Sequence, residues 1–228
     1  MKDIREKGNG LFIVVEGIDA SGKGTQTDKL VKKLEEKGEE VEYIDFPKYD
    51  TEFGSLVGKY LRGEFGDKEE IPVEIRCMLY AMDRYQFKEE LQNYVEEGKI
   101  VISDRYIESN LGYQTAEYEG KERRELIKWI ETVEGRLPQS DIVIFLDVSP
   151  KEAYELHDQK SIREYMGNDK RDIHESISDF QEKVYNNYHQ LAEEKDKWII
   201  VNCVENGELR NIEDIHKEIM KNIESYIN

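Results

Sequence analysis

The chain is short of positive charge. Its 33 lysines and arginines face 51 aspartates and glutamates, a formal net charge of −18 over 228 residues. A body this acidic repels nucleic acid and anionic membrane, and no basic patch stands out to offset it. Neither class of partner is expected, and any phosphate site must gather a few cations locally. Cysteine is nearly absent: Cys77 and Cys203 stand far apart, without metal-ligand spacing, and read as two reduced, buried thiols. The histidines, His157, His174, His189 and His216, are too scattered for a metal cluster or a catalytic triad. No apolar run approaches membrane-spanning length, and Met1–Asn9 is charged rather than signal-like. A soluble, cytoplasmic protein is expected. With four prolines and 37% charged residues, helices should dominate. The length suits one domain, residues 1–228, with a sizeable core.

What is present is concentrated in Leu11–Thr25, LFIVVEGIDASGKGT. The β-branched run Leu11-Phe12-Ile13-Val14-Val15 reads as a strand buried on both faces, as in parallel sheets. The chain then breaks at Gly17 and passes through Ala20 and Ser21 to Gly22-Lys23. The spacing Gly17-x4-Gly22-Lys23 is that of a phosphate-binding loop, in which backbone N–H groups turn inward onto an anion. Lys23 adds a point charge, and the following helix presents the positive end of its dipole. Gly24 departs from the full pattern, standing where Ser or Thr supplies a hydroxyl toward Mg²⁺. Thr25, one residue later, can bond a phosphate or help hold the ion through water. The chain is read as binding a nucleotide.

Further along, the pattern alternates. Helices are expected over Gly22–Lys37, Gly54–Arg62, Ile71–Val95, Glu108–Tyr118, Lys121–Glu134, Ile173–Glu194 and Ile212–Tyr226. Strands are expected at Val41–Phe46, Ile100–Ser103, Asp141–Leu146 and Trp198–Val201, with Ser149-Pro150 as a helix entry. Residues 157–172, mixed in charge and without apolar periodicity, read as a mobile flap. Strands alternating with helices predict a three-layer α/β/α domain around a five-stranded parallel sheet. Ligands bind such sheets beyond the carboxyl ends of the strands, where the first loop, Phe46-Pro47 and Asp104-Arg105 all fall.

Taken together, these motifs resemble thymidylate kinase, of the nucleoside monophosphate kinase group of P-loop kinases. The residues that carry the likeness are EGIDASGKGTQ (Glu16–Gln26), FPKY (Phe46–Tyr49), YLRGEFG (Tyr60–Gly66), LYAMDRY (Leu79–Tyr85), DRYIESNLGYQ (Asp104–Gln114) and DIHE (Asp172–Glu175). They span about residues 11 to 190. The resemblance implies an ATP:dTMP phosphotransferase that uses Mg²⁺ and forms a homodimer. It implies that Lys23 holds ATP phosphates in the Ala20–Thr25 nest and that Arg105 contacts acceptor and transferred phosphates together. Asp104 would orient Mg²⁺-bound water or Arg105 itself. Asp19 would accept the sugar 3′-hydroxyl. Tyr80 would stack on the pyrimidine, and Arg84, one turn on, would donate to its exocyclic oxygen and reject cytosine. Asn110 and Gln114 would bond the base edge, and Tyr113 would close the space beside the sugar 2′ carbon. Phe46, Lys48, Tyr49 and Glu175 fall where the family contacts the acceptor. Ala20 stands where some members carry a loop arginine, so the flap would supply the missing charge, Arg163 first among Lys160, Lys170 and Arg171. Two rivals stay open: a kinase for another acceptor such as dUMP or UMP, and a nucleotide-binding regulator.

Overall fold

The computed structural model describes residues 10–67, 70–158 and 170–227, with side chains left out over 155–178. The first strand, β1 (Leu11–Glu16), is the buried apolar run, and it hands the chain through the phosphate loop to α1 (Lys23–Glu36). Next come β2 (Val41–Asp45), α2 (Glu52–Leu61), α3 (Val73–Tyr85), α4 (Lys88–Glu96), β3 (Ile100–Asp104), α5 (Ile107–Gln114) and α6 (Gly120–Glu134). The chain closes with β4 (Ile142–Asp147), α7 (Pro150–Asp158), α8 (Lys170–Glu194), β5 (Trp198–Asn202), a short hairpin of β6 (Val204–Glu205) and β7 (Glu208–Leu209), and α9 (Ile212–Ile227).

The sheet order is β2-β3-β1-β4-β5, every neighbouring pair parallel. Parallel strands need covered faces, and β1 shows how: alternate side chains point to opposite sides. Leu11, Ile13 and Val15 join a core shared with Leu30 and Leu34 of α1 and Ile219 of α9. Phe12 and Val14 join a second core with Leu91 of α4 and Val101 of β3. The α/β sheet with flanking helices is therefore as expected.

One expectation needs correction. The helix expected over Ile71–Val95 is two helices, separated at Gln86-Phe87, with no Gly or Pro at the break to mark it. Of the expected flap, 157–172, helix is described up to Asp158 and again from Lys170, and residues 159–169 lie outside the described residues.

Candidate active site

The phosphate loop has the backbone its sequence requires. Ala20 has φ +61° and Gly22, the residue capping α1, has φ +86°, conformations that let successive N–H groups face one concavity. Lys23 folds back over the loop. Its Nζ donates to the carbonyls of Ile18 at 2.8 Å and Gly17 at 3.2 Å, and lies 3.5 Å from Ser21 Oγ. Burial and the Arg105 cation depress its pKa to about 8, against the pull of Asp19, Asp104 and Glu16. Gly24 and Thr25 are exposed on the first turn of α1. A Cβ added at Gly24 would meet Asp104 Oδ2 at 4.0 Å, so the carboxylate at the end of β3 faces the position that lacks a hydroxyl.

Arg105 joins this loop to a cavity. It sits at φ +69°, directly after β3, with its N–H on the carbonyl of Val15. Its Nη1 donates to Gly17 O at 3.2 Å and Ser109 Oγ at 3.3 Å; its Nη2 donates to Asp19 Oδ1 at 2.5 Å and Tyr113 OH at 3.3 Å. Behind it, Glu16 is fully buried and accepts from Tyr106 N–H, Ser109 Oγ and Tyr188 OH at 2.8 to 3.0 Å. Desolvation raises the Glu16 carboxyl, and Arg105, 4.0 Å away, pulls against that. At Asp19 desolvation also pushes upward, but Arg105, Lys23 and the donors Tyr113 and Gln181 outweigh it and hold the carboxyl below its ordinary value.

The cavity, about 310 Å³, is lined in part by Asp19 and Arg105. Pro47, Tyr49, Leu61 and Tyr80 bring apolar and aromatic surface to its lining, and Asn110, Tyr113 and Gln114 of α5 bring amides and a phenol. Tyr60 and Tyr80 meet edge to face at 6.4 Å. Burial raises the Tyr80 and Tyr113 phenols, which stay neutral donors at working pH. The arrangement offers an aromatic platform, a row of polar edge contacts, a carboxylate for a hydroxyl and a cation for a phosphate.

Three expected acceptor residues stand elsewhere. Arg84 does not line the cavity: it is 2% exposed, and its Nε donates to the equally buried Glu134 of α6 at 2.6 Å. Phe46 is a core residue packed on Phe87 and Tyr106. Lys48 turns away to pair with Asp45. Arg163 lies outside the described residues, and so does the side chain of Glu175. Conversely, α8 brings Phe180 and Gln181 to the cavity, and Gln181 Nε2 donates to Asp19 Oδ2 at 3.1 Å. Nothing in the sequence marked that pair, which sits in an ordinary stretch of amphipathic helix.

A sequence model of the thymidylate kinase family matches residues 15–219. A probable thymidylate kinase of Pyrococcus abyssi is 34% identical, the match covering 92% of this chain and 94% of that one. A probable thymidylate kinase of Thermococcus gammatolerans is 35% identical over 96% and 98%. The thymidylate kinase of Plasmodium falciparum is 30% identical over 96% and 91%. Among solved structures, the thymidylate kinase of Candida albicans superposes with a TM-score of 0.70 at 24% identity, over 95% of this chain and 92% of that one, a likeness of fold.

Proposed function

The chain belongs to the thymidylate kinase family, enzymes that phosphorylate dTMP to dTDP with ATP, and from that premise we propose that its cavity takes dTMP and its phosphate loop takes ATP. The observation that carries the reading is Arg105, whose guanidinium touches the loop at Gly17 and the cavity at Asp19 and Tyr113. Phosphoryl transfer between two anions needs positioning and charge neutralisation more than a covalent helper. A planar fork of donors suits a group that must serve both phosphates.

Each residue then has a task. Lys23 exchanges carbonyl oxygens for ATP phosphates, which the loop amides and the α1 N-terminus also favour. Tyr80 and Leu61 pack on the base, Asn110 and Gln114 bond its edge, and Asp19 accepts the sugar hydroxyl while Gln181 holds its second oxygen. Asp104 fits Mg²⁺ held through water: a hard carboxylate beside the loop, with no ready-made group of three ligands around it among the described residues. When bound, the ion would screen the charge on the transferring phosphate. Desolvation, Asp45 and Asp28 raise the Asp104 carboxyl, against Lys23 and Arg105, so a divalent cation there would relieve a crowded negative corner.

We read residues 1–228 as one nucleoside monophosphate kinase domain. Exposed Phe53 on α2 and Ile75 and Met78 on α3 support a homodimer. No helix among the described residues is long and apolar enough to cross a membrane, and both cysteines are free and buried, which supports a cytoplasmic setting. ADP release measured with each nucleoside monophosphate in turn tests the function. Release is expected with dTMP and not with AMP or CMP; turnover of CMP or AMP with none of dTMP rejects the assignment.

A further inference from the structure

Glu16, the last residue of β1, is fully buried and meets three donors. Its Oε1 accepts from the Tyr106 N–H at 3.0 Å, and its Oε2 accepts from Ser109 Oγ of α5 and Tyr188 OH of α8, each at 2.8 Å. Ser109 Oγ also lies 3.3 Å from Arg105 Nη1. A guanidinium only donates, so the serine takes the Arg105 hydrogen and gives its own to Glu16. The carboxylate and the guanidinium, 4.0 Å apart, are thus joined through one hydroxyl. Tyr188 has little room to move: its ring stacks on Phe145 of β4 at 5.3 Å, and a Cβ on Gly112 would lie 2.4 to 2.9 Å from three of its carbons. Gln181 stands two turns before Tyr188 on the same face of α8 and donates to Asp19. One helix therefore braces both carboxylates that flank Arg105.

We propose that Glu16 is a positioning residue for phosphoryl transfer: through the Ser109 hydroxyl its buried charge fixes Arg105, and Tyr188 fixes Glu16. The inference rests on the reading of Arg105 as the cation that serves both phosphates. The two arms of that guanidinium have different neighbours. Nη1 is held by Gly17 O and Ser109, whereas Nη2 meets Asp19 and Tyr113, both lining the cavity. Asp19 is 64% exposed and can exchange its contact when an acceptor enters. Glu16 is out of reach of any occupant, so its hold on Nη1 persists while Nη2 turns to a phosphate. A cation aimed before the reaction costs no reorganisation during it. Burying a carboxylate is costly even when it is paired, so a charge at this position calls for a task beyond packing.

The test is a double-mutant cycle with Arg105. kcat is measured at saturating ATP and acceptor in the wild type, Glu16→Gln, Arg105→Lys and the double variant, using the nucleoside monophosphate that the wild type turns over fastest. Glutamine keeps the shape of the side chain and removes its charge. Glu16→Gln is expected to lower kcat about 10- to 100-fold in the wild type and less than about threefold beside Arg105→Lys, where the fork it holds is gone. A purely structural role would lower kcat by the same factor in both backgrounds, and that result overturns the proposal. So does a Glu16→Gln protein that melts cooperatively and keeps kcat within about threefold of the wild type. Should Glu16→Gln not fold, Tyr188→Phe, which keeps the ring and removes one donor, is judged on the same cycle: a loss of about three- to tenfold is expected, absent beside Arg105→Lys. An unchanged kcat or an equal loss in both backgrounds overturns the proposal there too. If the fastest acceptor is not dTMP, the functional reading falls while the cycle still judges Glu16.

Discussion

Arg105 Nη2 lies 2.5 Å from Asp19 Oδ1, which ties the residue after β3 to the middle of the phosphate loop. The contact stands at the junction of the two proposed substrate sites, so it couples the geometry of one to the other. Desolvation opposes the Arg105 charge, but Tyr113, Asp19, Tyr188 and Glu16 prevail and keep its pKa well above the ordinary value. Lysine carries the same charge without the fork that reaches Gly17, Ser109, Asp19 and Tyr113 at once. Arg105→Lys is therefore expected to lower kcat about 10²-fold or more, with the thermal transition little moved, since positive φ strains either side chain alike. Steady-state kinetics beside a melting curve decide it; a lysine variant with near wild-type kcat would remove Arg105 from the mechanism.

Lys23 gives a prediction about protons. Its pKa in the free protein is about 8, against 10.5 for an ordinary lysine. Between those values the unfolded chain holds a proton that the free fold does not, so this residue makes free-protein stability rise with pH across that window. Phosphates favour the ammonium and raise the bound pKa. At pH 9, binding of a non-hydrolysable ATP analogue should therefore take up protons, and at pH 6.5 this contribution should vanish. Calorimetry in buffers of different ionisation enthalpy measures the uptake, and Lys23→Met should abolish it. Proton release at pH 9 would contradict the placement of Lys23.

The contrast between these cations and Arg84 shows what the sequence could and could not reveal. Lys23 and Arg105 follow buried strands, and a strand end in a parallel sheet points to the ligand edge by topology alone. Tyr80 and Arg84 share a helix face by spacing, but spacing does not say which neighbour covers each turn. The end of α6, carrying Glu134, covers Arg84 and leaves Tyr80 at the cavity. The break between α3 and α4 is equally hidden, because no Gly or Pro stands at Gln86-Phe87 to mark it. Gln181 reaches Asp19 across 162 residues, a contact that no local pattern encodes.

That contact makes its own prediction. Asp19 gives one oxygen to Arg105 and Tyr113 and the other to Gln181. The carboxylate is 64% exposed, so solvent screens part of what Gln181 contributes. Gln181→Leu should leave the fold intact, raise KM for dTMP about three- to tenfold and change kcat little, because the arginine side of Asp19 is untouched. The KM for ATP should stay at its wild-type value. A matching loss for ATP would mean that Gln181 supports the phosphate loop rather than the acceptor.

The turn after β2 depends on one glycine. A Cβ on Gly54, at the start of α2, would lie 1.8 Å from the carbonyl oxygen of Lys48 and 2.8 Å from Asp83 Oδ1. The first of these is backbone and has no rotamer to escape into. The Lys48 N–H is itself held by Asp83 Oδ2 at 3.1 Å, so the turn is pinned from both sides. Gly54→Ala must push Lys48 outward, and with it Pro47 and Tyr49, two residues of the cavity wall. Overpacking of this kind costs about 1–3 kcal/mol. The variant should melt several degrees lower and show a raised KM for dTMP, while ATP binding, built on β1 and α1, is unaffected. A variant that melts like the wild type would show that the helix start can slide, and the link between this turn and acceptor binding would fail with it.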